Sequence, residues 1–577
     1  MTARWRDVLS ALAALVLAFG AVQLFAGAQD VGITTDEPAH TERLASWMQT
    51  GWYLPAPELR DGEPDSRKGV LSSPFVYGPA FSLTAHTANI AVGNEGRGQI
   101  AFTRAGWTVR HLTVAALALI AALAVGAATW VLTGSWRFGL WAAAALLAIP
   151  AWMGQGFFNP KDVPAAAGYT LVTVALLLAL WRPQRESRRW LRPVAITALL
   201  AGGVFIGAGT RLSLWAPYFA SILTYVVLRV GQQRLGGIAR NRAPDWAVLG
   251  GGLLGVMAIA VAYPKAAATP VSLLVDSVSG AAGYPNYSAT LTAGELLSYQ
   301  PPVWYLPAHV FAVTPLLLLA LALGGAAFGI RALWRAWSGR LGGATFWRRD
   351  DLGLLLVVQQ AALLPLLAVL GGAVMYDGVR QHLYVIPALA ILAGVGAARF
   401  ASWADRGYRL RLRRVFAGLV LTLALAVPMA EQTILYPYNY TYVNPAAGIR
   451  GAQDNWETDY WQASWREALG RIPSNVKFRC SYSLIAPDEP ADVRLDAGTC
   501  PSWHLDPFSG ERGTESDADP ARETPALWAI AIKRGRNTPP STCEQVSDVT
   551  RWLRGERVTM SYVLRCPFRT AASRPLR

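Results

Sequence analysis

The chain is 577 residues long, 53% hydrophobic and only 15% charged, with a mean hydropathy of +0.28. Soluble domains carry about a quarter charged residues, so a soluble enzyme, a disordered chain and a fibrous protein are all excluded. The net charge of +15 comes mainly from arginines, many of them in short loops between apolar runs. The positive-inside rule explains that placement without a nucleic-acid partner.

The first apolar run, about 8–28, follows Arg4 and Arg6. Ala26-Gly27-Ala28 resembles a leader-cleavage site, but the run is long for a leader, so a retained first helix with a cytoplasmic N-terminus is expected. Further runs of membrane-spanning length fall near 109–132, 138–157, 164–181, 194–210, 213–229, 246–263, 306–330, 352–374, 383–399 and 415–434. Basic clusters occupy segments 182–192, 229–245, 331–351 and 399–414, the last with six arginines. Counted through eleven spans, all four clusters fall on the cytoplasmic side, which makes the register self-consistent.

The opposite side receives two long loops, 29–108 and 264–305, and the tail 435–577. The expected architecture is a polytopic α-helical membrane domain, 1–434, followed by an extracytoplasmic soluble domain of α/β or β-rich type. The tail holds all four cysteines, Cys480, Cys500, Cys543 and Cys566. An even number outside the cytoplasm, with no CxxC spacing, points to two disulfides of undetermined pairing rather than a metal site.

Ionisable residues at membrane depth are costly and usually face a cavity or a partner. Four outer segments carry them. Thr35-Asp36-Glu37-Pro38-Ala39-His40 follows the first span; its acids and histidine suit a general base or a metal ligand, or Asp36 simply caps an interfacial helix. Asn159-Pro160-Lys161-Asp162-Val163-Pro164 is a tight outer turn whose Lys161 and Asp162 either serve function or, in the plainer reading, form a hairpin with Asp162 capping the next helix. Gly209-Thr210-Arg211 and Tyr376-Asp377-Gly378-Val379-Arg380-Gln381-His382 place arginines on the side that disfavours them. Arg211 and Arg380 therefore call for an anion, either a phosphate or a carboxylate such as Asp162 or Asp377. The outer aromatics Trp52, Tyr53, Tyr77, Tyr284, Tyr287, Tyr299, Trp304 and Tyr305 are expected mainly to form an interfacial belt, with stacking on a sugar or steering of a lipid chain as the alternative.

At these residues the sequence resembles the GT-C glycosyltransferases, in particular the bacterial protein O-mannosyltransferase and aminoarabinose-transferase branch. The matching pieces are Asp36-Glu37, the Asn159 to Pro164 turn, Tyr376 to His382, Tyr436-Pro437-Tyr438-Asn439-Tyr440 through Asn444-Pro445, and Asp459-Tyr460-Trp461. The resemblance covers most of 1–470 and leaves the cysteine-bearing tail unplaced. It implies a GT-C-like fold and an inverting transfer from a polyprenyl-phosphate sugar to a cell-envelope glycan, lipid or protein. Asp36 would be the general base and Glu37 its neighbour or substitute. Asp162 would orient the acceptor or a divalent cation; Mg, Mn or Ca at Asp36 and Asp162 is left open, since family members differ. Lys161, Arg211, Arg380 and His382 are candidates for the lipid phosphate, and His40, Asn159, Tyr376 and Asp377 for the surrounding pocket. A transporter of a lipid-linked sugar and a non-catalytic envelope assembly factor are the competing readings. The absence of repeated halves and the outer placement of the acids weigh against the transporter.

Overall fold

The computed structural model describes residues 2–182, 190–239, 241–284, 289–298, 300–338, 344–406, 410–473, 478–481, 526–533, 535, 538–539 and 543–567. Ten helices among them are long and apolar enough to cross a membrane. They match ten of the eleven expected runs. The remaining run, 138–157, is built from two pieces, Trp136–Leu147 and Pro150–Gln155. Pro150 lacks the N–H that a continuous helix needs, and Ile149 before it is extended (φ −85°, ψ 110°). The run at 306–330 is likewise divided into Tyr305–Val313 and Leu316–Ser338, with Thr314 extended ahead of Pro315.

Helix Asp162–Leu180 is the centre of the bundle, with every residue except Leu178 buried. Such a helix must be apolar all round, and it is. Its neighbour, Leu191–Gly203 and the wider turn Val204–Ala208, approaches closely at glycines. A Cβ on Gly168 would come within 2.5 Å of the Gly207 Cα. The crossing of Leu316–Ser338 with Val385–Ala404 uses the same device, since a Cβ on Gly325 would meet the Leu392 carbonyl at 2.2 Å. Small residues let backbones pack where water gives no hydrophobic drive. Helix Ala243–Ala262 lies at the rim, its Leu253, Met257 and Val261 turned outward.

One end of the bundle collects the arginine-rich loops. Arg182 pairs with Asp350 at 2.6 Å, Arg414 with Asp405 at 2.8 Å, and Arg229 with Asp245 at 2.8 Å. Arg185, Arg188, Arg189, Arg240 and Arg340 lie outside the described residues. The other end carries helices Asp36–Thr50 and Ala80–Ala91 and the small antiparallel pair β1 (Thr290–Thr292) and β2 (Glu295–Leu297). Beyond Leu435 the chain runs back across this end, burying Tyr438, Tyr440, Trp461 and Trp465.

A four-stranded sheet completes the described chain: β3 (Phe478–Ser481), β4 (Ala526–Ile532), β5 (Glu544–Leu553) and β6 (Glu556–Pro567), in the order β3-β4-β6-β5. The β3–β4 pair is parallel and the other pairings antiparallel. Cys543 is disulfide-bonded, and no described cysteine is free. Cys500 and the side chains of Cys480 and Cys566 lie outside the described residues.

Candidate functional site

The four outer segments converge. At the first, Asp36 opens helix Asp36–Thr50. At the second, Asn159 organises the turn: its Oδ1 accepts from the N–H groups of Lys161 (3.1 Å) and Asp162 (2.9 Å), and its Nδ2 donates to Asp162 Oδ2 at 2.9 Å and Gln155 Oε1 at 2.7 Å. Asn159, not Asp162, therefore caps helix Asp162–Leu180. That leaves the Asp162 carboxylate at the positive end of the helix dipole, free to take a cation.

The third segment is zipped to the chain that enters helix Ala80–Ala91. Gly78 N–H donates to Thr210 O at 3.0 Å and Ala80 N–H to Gly209 O at 3.1 Å. A Cβ at Gly78 would lie 2.3 Å from the Gly209 carbonyl, so only glycine allows this approach. The fourth segment turns through left-handed backbone at Asp377 (φ 52°) and Gly378 (φ 75°). It is pinned there by Asp377 N–H to Thr290 Oγ1 at 3.0 Å and Gly378 N–H to Tyr305 Oη at 2.9 Å.

The resulting cluster joins three carboxylates to three cations. Asp36 Oδ2 takes Lys161 Nζ at 2.5 Å and Arg380 Nη1 at 2.8 Å. The other amine of Arg380 reaches Asp377 at 3.1 Å, and Arg211 pairs with Asp162. Lys161 and Arg380 side chains are each 6% exposed, whereas Asp36 is 27% exposed and forms the opening. Among the described residues, the buried Nε atoms of Arg211 and Arg380 meet no hydrogen-bond partner. Burial disfavours ionised Asp36, but Lys161 and Arg380 outweigh it and hold its carboxyl well below the usual range. Burial, with Lys161 and Arg43 nearby, keeps His40 neutral and well below its ordinary value. Burial and Arg211 push His382 down to about 4.

Aromatic rings wall the cluster. Trp461 faces Arg380 at 4.5 Å and Lys161 at 5.9 Å, and Tyr376 faces Arg380 at 4.8 Å. Tyr77 faces Lys161 at 5.5 Å and Arg211 at 5.9 Å, with His40 edge-on at 5.0 Å. Of the two readings the sequence left for Tyr77, belt or substrate-facing ring, its place against Lys161 and Arg211 fits the second. Tyr287 and Tyr299 lie outside the described residues.

No family model matches this sequence, and no curated protein matches it. Among solved structures the chain is similar to ArnT from Cupriavidus metallidurans, in its apo state and bound to undecaprenyl phosphate. Each likeness has 14% identity and a TM-score of 0.44 and covers 95% of this chain and 97% of the other. It is also similar to the Archaeoglobus fulgidus oligosaccharyltransferase tethered with an acceptor peptide containing the NVT sequon. There the identity is 12% and the TM-score 0.43, over 84% of this chain and 62% of that one.

The structure bears on two readings left open above, the role of Glu37 and a cation at Asp36 and Asp162. Glu37 does not share the cluster with Asp36. Its carboxylate, 3% exposed, accepts from Thr34 N–H at 2.7 Å and Thr34 Oγ1 at 2.8 Å and bonds His111 Nε2 at 2.6 Å, so it ties the turn after the first span to helix Arg104–Thr133. Asp36 and Asp162 are also a poor donor set for Mg, Mn or Ca. Each is already taken by Lys or Arg, and no group of three or more His, Cys, Asp or Glu side chains comes together among the described residues.

Proposed function

We propose that this chain is a GT-C-type glycosyltransferase. It moves a sugar from a polyprenyl-phosphate donor to a hydroxyl acceptor of the cell envelope, on the extracytoplasmic side, with inversion at the anomeric carbon. The observation that carries this reading is the buried cluster in which a partly open carboxylate, Asp36, is gripped by Lys161 and Arg380, with Arg211 beside them on Asp162.

Three cations with two unused guanidinium N–H groups fit a phosphate better than a carboxylate. As a donor phosphate enters, it draws Lys161 and Arg380 toward itself. Asp36 loses its counter-ions and becomes more basic at the moment the acceptor needs a base. The acceptor O–H proton passes to Asp36 and the oxygen attacks the anomeric carbon from the face opposite the leaving group. The carbon–oxygen bond to phosphate breaks, and its electron pair stays on the phosphate oxygen. Lys161, Arg211 and Arg380 stabilise that charge in a site of low dielectric. Asp162 holds Arg211, Asn159 holds Asp162, and neutral His382 lies within electrostatic reach of both Arg211 and Asp162 without adding charge. Trp461, Tyr77 and Tyr376 exclude water and offer flat faces to the sugar or the first prenyl units.

The test is sugar transfer by the purified protein in nanodiscs. A panel of radiolabelled polyprenyl-phosphate sugars is offered with a cell-envelope extract as acceptor, beside Asp36→Asn. Transfer by the wild type that collapses in Asp36→Asn is expected, and the productive donor names the sugar. Folded wild-type protein that transfers nothing from any donor speaks for the transporter or assembly-factor reading.

A further inference from the structure

The tail that follows the last span is tied to the cluster through a short segment, Trp456–Ser464. Asp459 in that segment is completely buried. Its Oδ1 accepts from the Tyr440 hydroxyl and from Ala463 N–H at 3.0 Å. Its Oδ2 accepts from Ser464 N–H at 3.1 Å and Ser464 Oγ at 2.5 Å. Ser464 Oγ lies 2.9 Å from Ser561 Oγ on β6. A hydroxyl has one proton, and that of Ser464 is committed to the carboxylate, so Ser561 is the donor between them. One carboxylate thus ties together the turn after the last span, the segment's own backbone and, through Ser464, the C-terminal sheet.

Two of the loop's other contacts reach the cluster and its flank. Trp461 O accepts from the N–H of Thr35, the residue before Asp36, at 3.3 Å, and the Trp461 ring lies 4.5 Å from the Arg380 guanidinium. Two residues upstream, Glu457 makes a second tie. Its Oε1 accepts from Gly535 N–H at 2.9 Å, beyond β4, and its Oε2 from Leu291 N–H at 3.0 Å, on β1. Strand β1 supplies Thr290, which holds the Asp377 N–H and with it the strap that carries Arg380.

We propose that Asp459 is a positioning residue: through it the C-terminal sheet fixes Trp461, and through Trp461 the spacing of Asp36 and Arg380 across the site. Glu457 secures the same strap from the other side. The sheet is therefore a brace for the membrane site, and the acceptor need not touch it. Neither Asp459 nor Glu457 takes part in the reaction. The effect on donor binding rests on the glycosyltransferase reading; the effect on backbone order does not.

Hydrogen exchange on the full-length protein in nanodiscs separates the two. Asp459→Asn turns an all-acceptor group into one that faces two of its four donors with its own N–H₂. Exchange in peptides covering 33–37 and 376–382 is expected to rise about tenfold, with no change in the core of Asp162–Leu180. Ser561→Ala removes only the link to the sheet and is expected to give the same pattern at lower amplitude, which keeps the proposal testable if Asp459→Asn folds poorly. In transfer assays both variants should raise KM for the polyprenyl-phosphate donor more than they lower kcat. A purely structural loss would instead reduce the amount of active enzyme at constant KM. Unchanged exchange at 33–37 and 376–382, with loosening confined to the sheet, overturns the proposal whatever the protein transfers. Failure of the wild type to transfer any sugar refutes the enzymatic reading and leaves the exchange result standing.

Discussion

Replacing Asp36 by Asn keeps the shape of the side chain and removes its charge. Lys161, 4% exposed, then loses the carboxylate 2.5 Å away, while Arg380 keeps Asp377 at 3.1 Å. Breaking a buried pair costs about 3–5 kcal/mol when a charge is stranded. Because one of the two cations retains a partner and Asp36 is the most open member, the loss should sit near about 3 kcal/mol. The rate should fall roughly 10²–10⁴-fold, the usual span for a lost general base. Binding of polyprenyl phosphate should tighten, because the cluster now carries one more net positive charge. The double variant Asp36→Asn with Lys161→Met removes the stranded ammonium and should recover most of the stability while staying inactive. Thermal unfolding in detergent, single-turnover transfer and equilibrium binding of polyprenyl phosphate read the three effects separately. Transfer at the wild-type rate by folded Asp36→Asn, or weaker binding of polyprenyl phosphate to it, would refute the reasoning.

The remaining predictions concern the walls and the scaffold. His382 has a folded-state value of about 4 against an ordinary 6.5, so the folded protein resists its protonation. Its contribution to stability is complete above pH 6.5 and is lost as the pH falls toward 4. The loss is at most about 3 kcal/mol, and His382→Gln should flatten that limb of a stability–pH curve measured by chemical denaturation. Trp461→Leu removes the ring beside Arg380 and should weaken polyprenyl-phosphate binding roughly 10–30-fold, as a desolvated cation–π contact is worth up to about 2 kcal/mol. Gly168→Val forces a Cβ to within 2.5 Å of Gly207 and should destabilise the bundle by about 1–3 kcal/mol without changing KM in the protein that remains folded, as thermal unfolding and transfer kinetics would show.

Much of the membrane part was legible because a bilayer leaves the backbone no alternative. A run of about 20 apolar residues must satisfy its own hydrogen bonds as a helix, so the spans could be read from length and composition. Pro150 and Pro315 mark where two of those runs break, for the local reason that proline lacks a donor. The turn from Asn159 to Asp162 was equally legible, since a capping side chain acts within three residues of itself. Capping, the plainer reading of Asp162, falls instead to Asn159. Asn and Asp are both good caps, and Asp162 instead pairs with Arg211, one of the two kinds of anion the sequence offered that arginine.

What tertiary structure decided was which charges meet. Asp36 and Arg380 are 344 residues apart, and no local rule pairs them. Asp36 and Glu37 are adjacent, yet successive residues of a helix point about 100° apart, so one carboxylate faces the cluster and the other faces His111. Tyr77 and Trp461 carry no spacing signal that separates a site ring from a belt ring. Asp459 owes its place to partners on three different segments, Tyr440, Ser464 and, through Ser464, Ser561. The sequence by itself determined the spans and the kinds of residue held at the ends of the spans, because membrane solvation acts residue by residue. Packing alone determined the site, because ion pairing and ring contact depend on distances that the chain sets only when it closes.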